Sequence, residues 1–219
     1  MVDLIERLQP ETVAANLERV RAAIADVDRD PGEVEVLAAI KYLPADCLAA
    51  LAEGGVRLVG ENRAQQLIAK QQIAGDRFTW DFIGALQSRK VRDIVGRVRW
   101  IHSVASDSAL AQLRRHAPPG CEVLVEVNVA GEAGKSGVAP AELPAFLERC
   151  PVRVVGLMTM PPLADSPEDS RPHFAALAEL AAAHGLRELS MGTSQDFAVA
   201  AQEGATIVRL GTILYASAS

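Results

Sequence analysis

The chain has 219 residues, of which 49% are apolar, 23% charged and only 4% aromatic, and its formal net charge is −6. That length accommodates one sizeable α/β domain, taken as 1–219, with an interior built mainly from Ala, Val, Leu and Ile. The acidic balance and the lack of a Lys/Arg stripe exclude a nucleic-acid surface; the N-terminal segment, with Asp3 and Glu6 and no continuous apolar stretch, predicts neither a signal peptide nor a membrane span. Cys47, Cys121 and Cys150 are odd in number and lack C-x-x-C spacing, so they read as reduced thiols in a cytoplasmic protein.

Val13, Leu17, Val20, Ile24 and Val27 recur at helical spacing and predict an N-terminal helix ending before Asp30-Pro31-Gly32. The apolar run 34–41 follows and reads as a strand buried on both faces, the kind found in a parallel sheet. Lys41 closes that run. Burial there disfavours the ammonium form, and a neutral amine condenses with an aldehyde to a Schiff base. The competing reading is a strand-end lysine snorkelling into solvent while Leu43 and Pro44 start the next helix. Further strands are expected over 57–60, 79–84, 100–104, 122–128, 153–158, 188–191 and 206–211, with helical segments over 46–52, 63–72, 108–116, 141–150 and 171–184 between them. Eight β/α units predict a single closed (β/α)₈ barrel with an extra N-terminal helix. The alternative, an open doubly wound sheet, calls for a Gly-rich turn after the first strand, where the chain has Lys41-Tyr42-Leu43-Pro44. Only eight residues follow Gly211, so no second domain is expected.

In such a barrel the chemistry gathers at the carboxyl ends of the strands, and phosphate often binds in the loops after strands seven and eight. Ser194 lies where the seventh strand gives way to a helix, and serves either as an N-cap or as a phosphate ligand. Gly211 permits close backbone approach after strand eight, and Thr212 adds a hydroxyl and an N–H. Asn62 ends strand two and either hydrogen-bonds a ligand or caps the following helix. Arg209, a guanidinium inside a barrel strand, must be paired or bind a ligand, with Glu61 an available partner. The segment around Gly134-Lys135-Ser136 lacks the first glycine of a P-loop and reads as a flexible loop, with Lys135 a second cation near the mouth. His102 reads as a satisfied structural histidine, and the four histidines show no metal spacing.

Together Ala38-Ala39-Ile40-Lys41, Gly60-Glu61-Asn62, Leu86-Gln87-Ser88, His102-Ser103-Val104, Lys135-Ser136-Gly137, Gly156-Leu157-Met158-Thr159, Ser190 to Asp196 and Val208 to Thr212 resemble the pyridoxal phosphate homeostasis protein family over nearly the whole chain. The barrel of that family resembles the N-terminal domain of alanine racemase. The resemblance implies that Lys41 holds pyridoxal 5′-phosphate as an internal aldimine and that Ser194 and the Gly211-Thr212 backbone hold its phosphate. It further implies that Arg209 faces the pyridine nitrogen and that Asn62 and Met158 lie at the cofactor. The chain departs from the family pattern at Asp81 and Ala85, where the family has His, and at Thr193, where it has Met.

The function so implied is a non-enzymatic or weakly catalytic cytoplasmic carrier that buffers pyridoxal phosphate and delivers it to apo-enzymes; a closed barrel with no exposed sheet edge is expected to be a monomer. The rivals are a cofactor-dependent amino-acid racemase, for which Tyr42 is a poor second base because adjacent strand residues point to opposite faces; a Schiff-base aldolase; and a partner-binding protein in which the cofactor is only structural.

Overall fold

Residues 8–163 and 165–216 are described by a computed structural model; the sequence reading of Asp3 and Glu6 lies outside them. Helix α1 (Pro10–Ala25) precedes β1 (Glu35–Ala39), α2 (Leu48–Glu53), β2 (Leu58–Glu61) and α3 (Ala64–Ala74). The chain continues through β3 (Thr79–Phe82), α4 (Val91–Ile94), β4 (Trp100–Val104), α5 (Asp107–His116), β5 (Glu122–Glu126) and α6 (Leu143–Arg149). It ends with β6 (Arg153–Met158), α7 (Arg171–Ala183), β7 (Glu188–Ser190), α8 (Phe197–Gln202), β8 (Ile207–Leu210) and α9 (Thr212–Tyr215).

The strands pair in chain order, all parallel, and β8 pairs back onto β1 through Val36↔Val208 and Leu37↔Arg209. Closure removes every sheet edge. This is the expected (β/α)₈ barrel, and the intervals 100–104 and 153–158 coincide with β4 and β6. The interval 34–41 contracts to Glu35–Ala39: Ile40 N still donates to Gly60 O of β2 at 3.0 Å, and the chain leaves the sheet after it.

Helix α1 starts on Pro10, whose fixed φ suits the first turn, and buries Val13, Leu17, Val20 and Ile24 as the spacing predicts. Val27, counted on the same face, lies past the helix end. Asn16 shares the buried face, and its amide donates to Leu214 O and Ala216 O at 3.0 and 2.9 Å, so α1 supplies donors to the carbonyls that end α9. Helix α5 is capped by Ser106, whose hydroxyl accepts from Ala109 N, and carries Arg114, Arg115 and His116 in its last turn.

The main apolar core lies between strands and helices, and a smaller cluster of Leu37, Leu58 and Ile207 packs with Ile83 and Trp100. Strands β4 and β7 are not neighbours, so the bond between His102 and Ser190 crosses the barrel interior. Buried Glu61, Asp81, His102, Glu126, Ser190 and Arg209 all come from the strands. Barrel interiors are ordinarily filled by bulky branched residues. Here Asp81, His102, Ser190 and Arg209 satisfy one another, while Glu61 pairs with Lys70 of α3 and Glu126 accepts from Ser136, as the cost of burying polar groups unpaired demands.

Candidate functional site

A cavity of about 430 Å³ opens at the carboxyl ends of the strands and is lined by Lys41, Asn62, Ser194, Arg209, Gly211 and Thr212 together with Tyr42, Met160, Gln195 and Tyr215. Its size falls within the ordinary range of small-molecule sites. Six of the seven residues singled out in the sequence meet there. Met158 does not line it. That residue ends β6 and is buried, whereas Met160, two positions on, reaches the cavity, as the alternation of an extended chain allows.

Lys41 is exposed, with Nζ 5.0 Å from the centroid of the Tyr42 ring. This corrects the expectation of a buried strand-end lysine: β1 stops at Ala39, Ile40 takes the core position, and residues 41 and 42 swing outward. The backbone beneath it is held by an ion pair that the sequence did not reveal. Lys70 of α3, 4% exposed, donates to Glu61 Oε2 at 2.7 Å and to Ile40 O at 2.6 Å, while Glu61 Oε1 accepts from Asn62 N at 2.7 Å. One buried pair thus fixes the residue before Lys41 and the backbone of Asn62. Glu61 is therefore committed to Lys70, and the expected Glu61–Arg209 pairing is replaced.

Asn62 Oδ1 is buried without a hydrogen-bond partner. Since the two ends of an amide are assigned from their surroundings, this position offers a ligand either an acceptor or, with the amide turned over, a donor. Gly84 makes the close packing possible: a Cβ there would lie 2.2 Å from Asn62 O and 2.6 Å from its Cα.

The loops after β7 and β8 come together, with Gly211 N donating to Ser194 Oγ at 3.2 Å. Thr193 N and Oγ1 donate to Asp196 Oδ1 at 2.7 and 3.0 Å, which closes the turn ahead of α8. Gly192, at φ 89°, sits where an added Cβ would come within 2.6 Å of Ala200 Cβ. The first N–H groups of α9, which opens on Thr212, have no acceptor within their helix. Hydroxyl and backbone donors converging on one loop pair suit a phosphate.

Arg209 is 6% exposed. Its Nη1 donates to Ser190 O at 2.6 Å and Ser190 Oγ at 2.7 Å; its Nη2 donates to Thr159 O and Met160 Sδ, both at 2.8 Å. Four of the five guanidinium N–H groups are thereby used, and Nε–H has no acceptor among the described residues. Burial pushes the Arg209 pKa down to about 10, opposed by the charges of Asp196 and Glu126, so it is a cation at neutral pH. Ser190 passes the contact on to His102 Nδ1 at 2.8 Å, and His102 Nε2 meets Asp81 Oδ2 at 3.0 Å. His102 is thus a satisfied structural histidine, as the sequence suggests. Burial drives its pKa below the ordinary value, against the pull of Asp81, and keeps it neutral.

Lys135 stands beside a separate hollow lined also by Glu126, Asn128 and Ser136, where it pairs with Glu132. The segment expected as a flexible loop is hydrogen-bonded: Asn128 brackets Glu132 through both ends of its amide, and Ser136 Oγ donates to Glu126 Oε2 at 2.8 Å. Met160, Gln195 and Tyr215 were not identified from sequence. The Tyr215 hydroxyl donates to Ala39 O at 3.2 Å beside the Lys41 turn. Among the described residues no helix is long and apolar enough to cross a membrane.

The family model described as alanine racemase, N-terminal domain, matches residues 9–219. Pyridoxal phosphate homeostasis proteins from Aquifex aeolicus and Pseudomonas aeruginosa are 38% and 39% identical to the chain, each match covering 94% of it and 96% and 94% of the relative. PipY of Synechococcus elongatus, solved with PLP bound, superposes with a TM-score of 0.77 at 33% identity over 93% of this chain and all of that one. The chain therefore belongs to the pyridoxal phosphate homeostasis protein family.

Proposed function

We propose that the protein binds pyridoxal 5′-phosphate reversibly at this cavity and thereby buffers the free cofactor and supplies it to apo-enzymes. The observation that carries the reading is the convergence, in one cavity, of an accessible amine on Lys41, a phosphate-type loop pair at Ser194, Gly211 and Thr212, and the Arg209 side chain. When bound, the cofactor supplies an aldehyde with which an amine condenses. Lys41 provides that amine from a backbone fixed by Lys70 and Glu61. Ser194 and the Gly211-Thr212 backbone would hold the phosphate, and Asn62 would offer its unused amide end to the cofactor. Arg209, cationic and saturated on both Nη atoms, would serve the ring-nitrogen side of the cofactor, where its charge would disfavour protonation of that nitrogen. That weakens the ring as an electron sink and suits holding over carbanion chemistry.

The arrangement also argues against a racemase. A second base is required opposite the lysine. Tyr215 is the tyrosine nearest that role, yet its proton is engaged with Ala39 O, and burial pushes its pKa well above the ordinary tyrosine range. Tyr42 is 55% exposed beside Lys41. The test is equilibrium dialysis of pyridoxal phosphate against the wild-type protein and Lys41→Ala, paired with amino-acid racemisation assays of the loaded protein. Tight, Lys41-dependent uptake without turnover is the expected result; sustained racemisation would replace the carrier reading by an enzyme.

A further inference from the structure

Six polar side chains form one continuous line through the barrel, from its amino-terminal end to the cavity. Glu35, at the start of β1, accepts from Arg99 Nη1 through both oxygens at 2.9 and 2.8 Å. Arg99, whose guanidinium lies 3.9 Å over the Trp100 ring, donates Nε to Asp81 Oδ1 at 3.1 Å and Nη2 to Asp81 Oδ2 at 2.7 Å. Asp81 also accepts from Trp100 N at 3.2 Å and meets His102 Nε2 at 3.0 Å. His102 reaches Ser190, and Ser190 reaches Arg209.

The direction of every bond follows from the Asp81 end. An ionised carboxylate has about four acceptor positions, and Asp81 receives two donors on each oxygen, so it is an acceptor throughout. Burial disfavours its charge, but hydrogen bonds from His102 and Arg99, together with the Arg99 charge, outweigh burial and hold the carboxyl below its ordinary range. His102 must then carry its proton on Nε2. Being neutral, it leaves Nδ1 bare, and Nδ1 accepts the Ser190 O–H. With its proton committed there, the Ser190 oxygen turns lone pairs toward Arg209 Nη1. A proton on His102 Nδ1 would compete for those lone pairs and disrupt the contact.

We propose that Asp81 is a positioning residue for the ligand-facing arginine: held by Arg99, it sets the His102 tautomer, and through Ser190 it fixes the plane of the Arg209 guanidinium so that Nε–H points into the cavity. Asp81 touches no cavity ligand itself and does not line the cavity. Arg99 donates to the carboxylate at one end of the line and Arg209 donates to Ser190 at the other, so the order of the cavity end depends on a residue three hydrogen bonds away. The proposal rests on the assignment of the cavity as the pyridoxal phosphate site only for its effect on the ligand; the relay itself is a property of the protein alone.

The test uses Asp81→Asn, Ser190→Ala and the double variant. In cofactor-free protein, ¹⁵N spectra of wild type should show His102 as the neutral Nε2–H tautomer and resolved guanidinium N–H signals for Arg209; both single variants should broaden those arginine signals. In the presence of pyridoxal phosphate, each single variant should raise the dissociation constant about 3- to 10-fold, and the double variant should be no weaker than the weaker single one, since both cut the same line. The pH at which the bound imine titrates should move in the same direction in all three. An imidazolium or Nδ1–H tautomer in wild type, Arg209 signals unmoved by Asp81→Asn, or independent additive losses would overturn the relay. If Asp81→Asn fails to fold, Ser190→Ala decides through the arginine signals and the imine titration. Failure of wild type to take up the cofactor would refute the functional reading and leave the tautomer and arginine measurements to judge the relay separately.

Discussion

Lys70→Met removes one partner of the buried Glu61–Lys70 pair while nearly preserving side-chain volume. The two side chains are 0% and 5% exposed and 2.7 Å apart, so the variant strands a carboxylate that water cannot reach. Breaking a buried pair from one side costs about 3–5 kcal/mol. For a chain of this length that corresponds to a fall in Tm of roughly 6–20 °C. The Ile40 carbonyl loses its donor as well, so the backbone that presents Lys41 loosens and the uptake of pyridoxal phosphate slows. Urea denaturation followed by far-ultraviolet circular dichroism measures the first effect, and stopped-flow absorbance measures the second. Removing both charges, as Glu61→Gln with Lys70→Met, should recover much of the stability, because the cost lies in the uncompensated charge. A loss under about 1 kcal/mol for Lys70→Met, or no recovery in the double variant, would refute the clamp.

Gly84→Ala should cost about 1–3 kcal/mol by overpacking, because the new methyl falls 2.2 Å from Asn62 O, and it should weaken the ligand by displacing Asn62; a variant as stable as wild type would contradict that packing. Acid should destabilise the fold through His102, which faces Asp81, Ser190 and, at longer range, Arg99 and Arg209. Its folded pKa lies below the ordinary 6.5, so as the pH falls through about 6.5 the unfolded chain takes up a proton that the folded chain refuses, and stability drops. Urea midpoints at pH 7 and pH 5.5 check this, and a flat profile would show that His102 does not stay neutral. Ser194→Ala should weaken pyridoxal phosphate by one to two decades, the worth of about 1.5–3 kcal/mol for a hydrogen bond to a charged group, and an unchanged dissociation constant would remove Ser194 from the site.

Much of the architecture is legible in the sequence because strand periodicity is local: the run ending at Lys41, the Met191-Gly192 turn and the Arg209-Leu210-Gly211 strand end each announce their place without knowledge of the rest. What escapes is what closure creates. Lys70 sits in a helical pattern and reads as one more solvent-facing lysine, since nothing local says that its amine reaches back beneath β1 and β2. Asp81, His102, Ser190 and Arg209 come from β3, β4, β7 and β8, and their alignment exists only once β8 has paired with β1. The same limit explains Glu61, assigned to Arg209 by rank among strand ends when a nearer cation was available. Lys41 was expected to be buried by extrapolating the strand two residues too far. The extended chain continues past Met158 and carries Met160 to the rim, a displacement that depends on where β6 stops.

Labelling of Lys41 by pyridoxal phosphate tests most directly whether its amine holds the cofactor. The protein should be incubated with the cofactor, reduced with borohydride and mapped by peptide mass spectrometry, with Lys41→Ala treated alongside. A single pyridoxyl adduct on the Lys41 peptide, with loss of the imine absorbance on reduction and neither signal in the variant, is the predicted result. An unmodified protein, or an adduct on another lysine that persists in Lys41→Ala, would contradict the account.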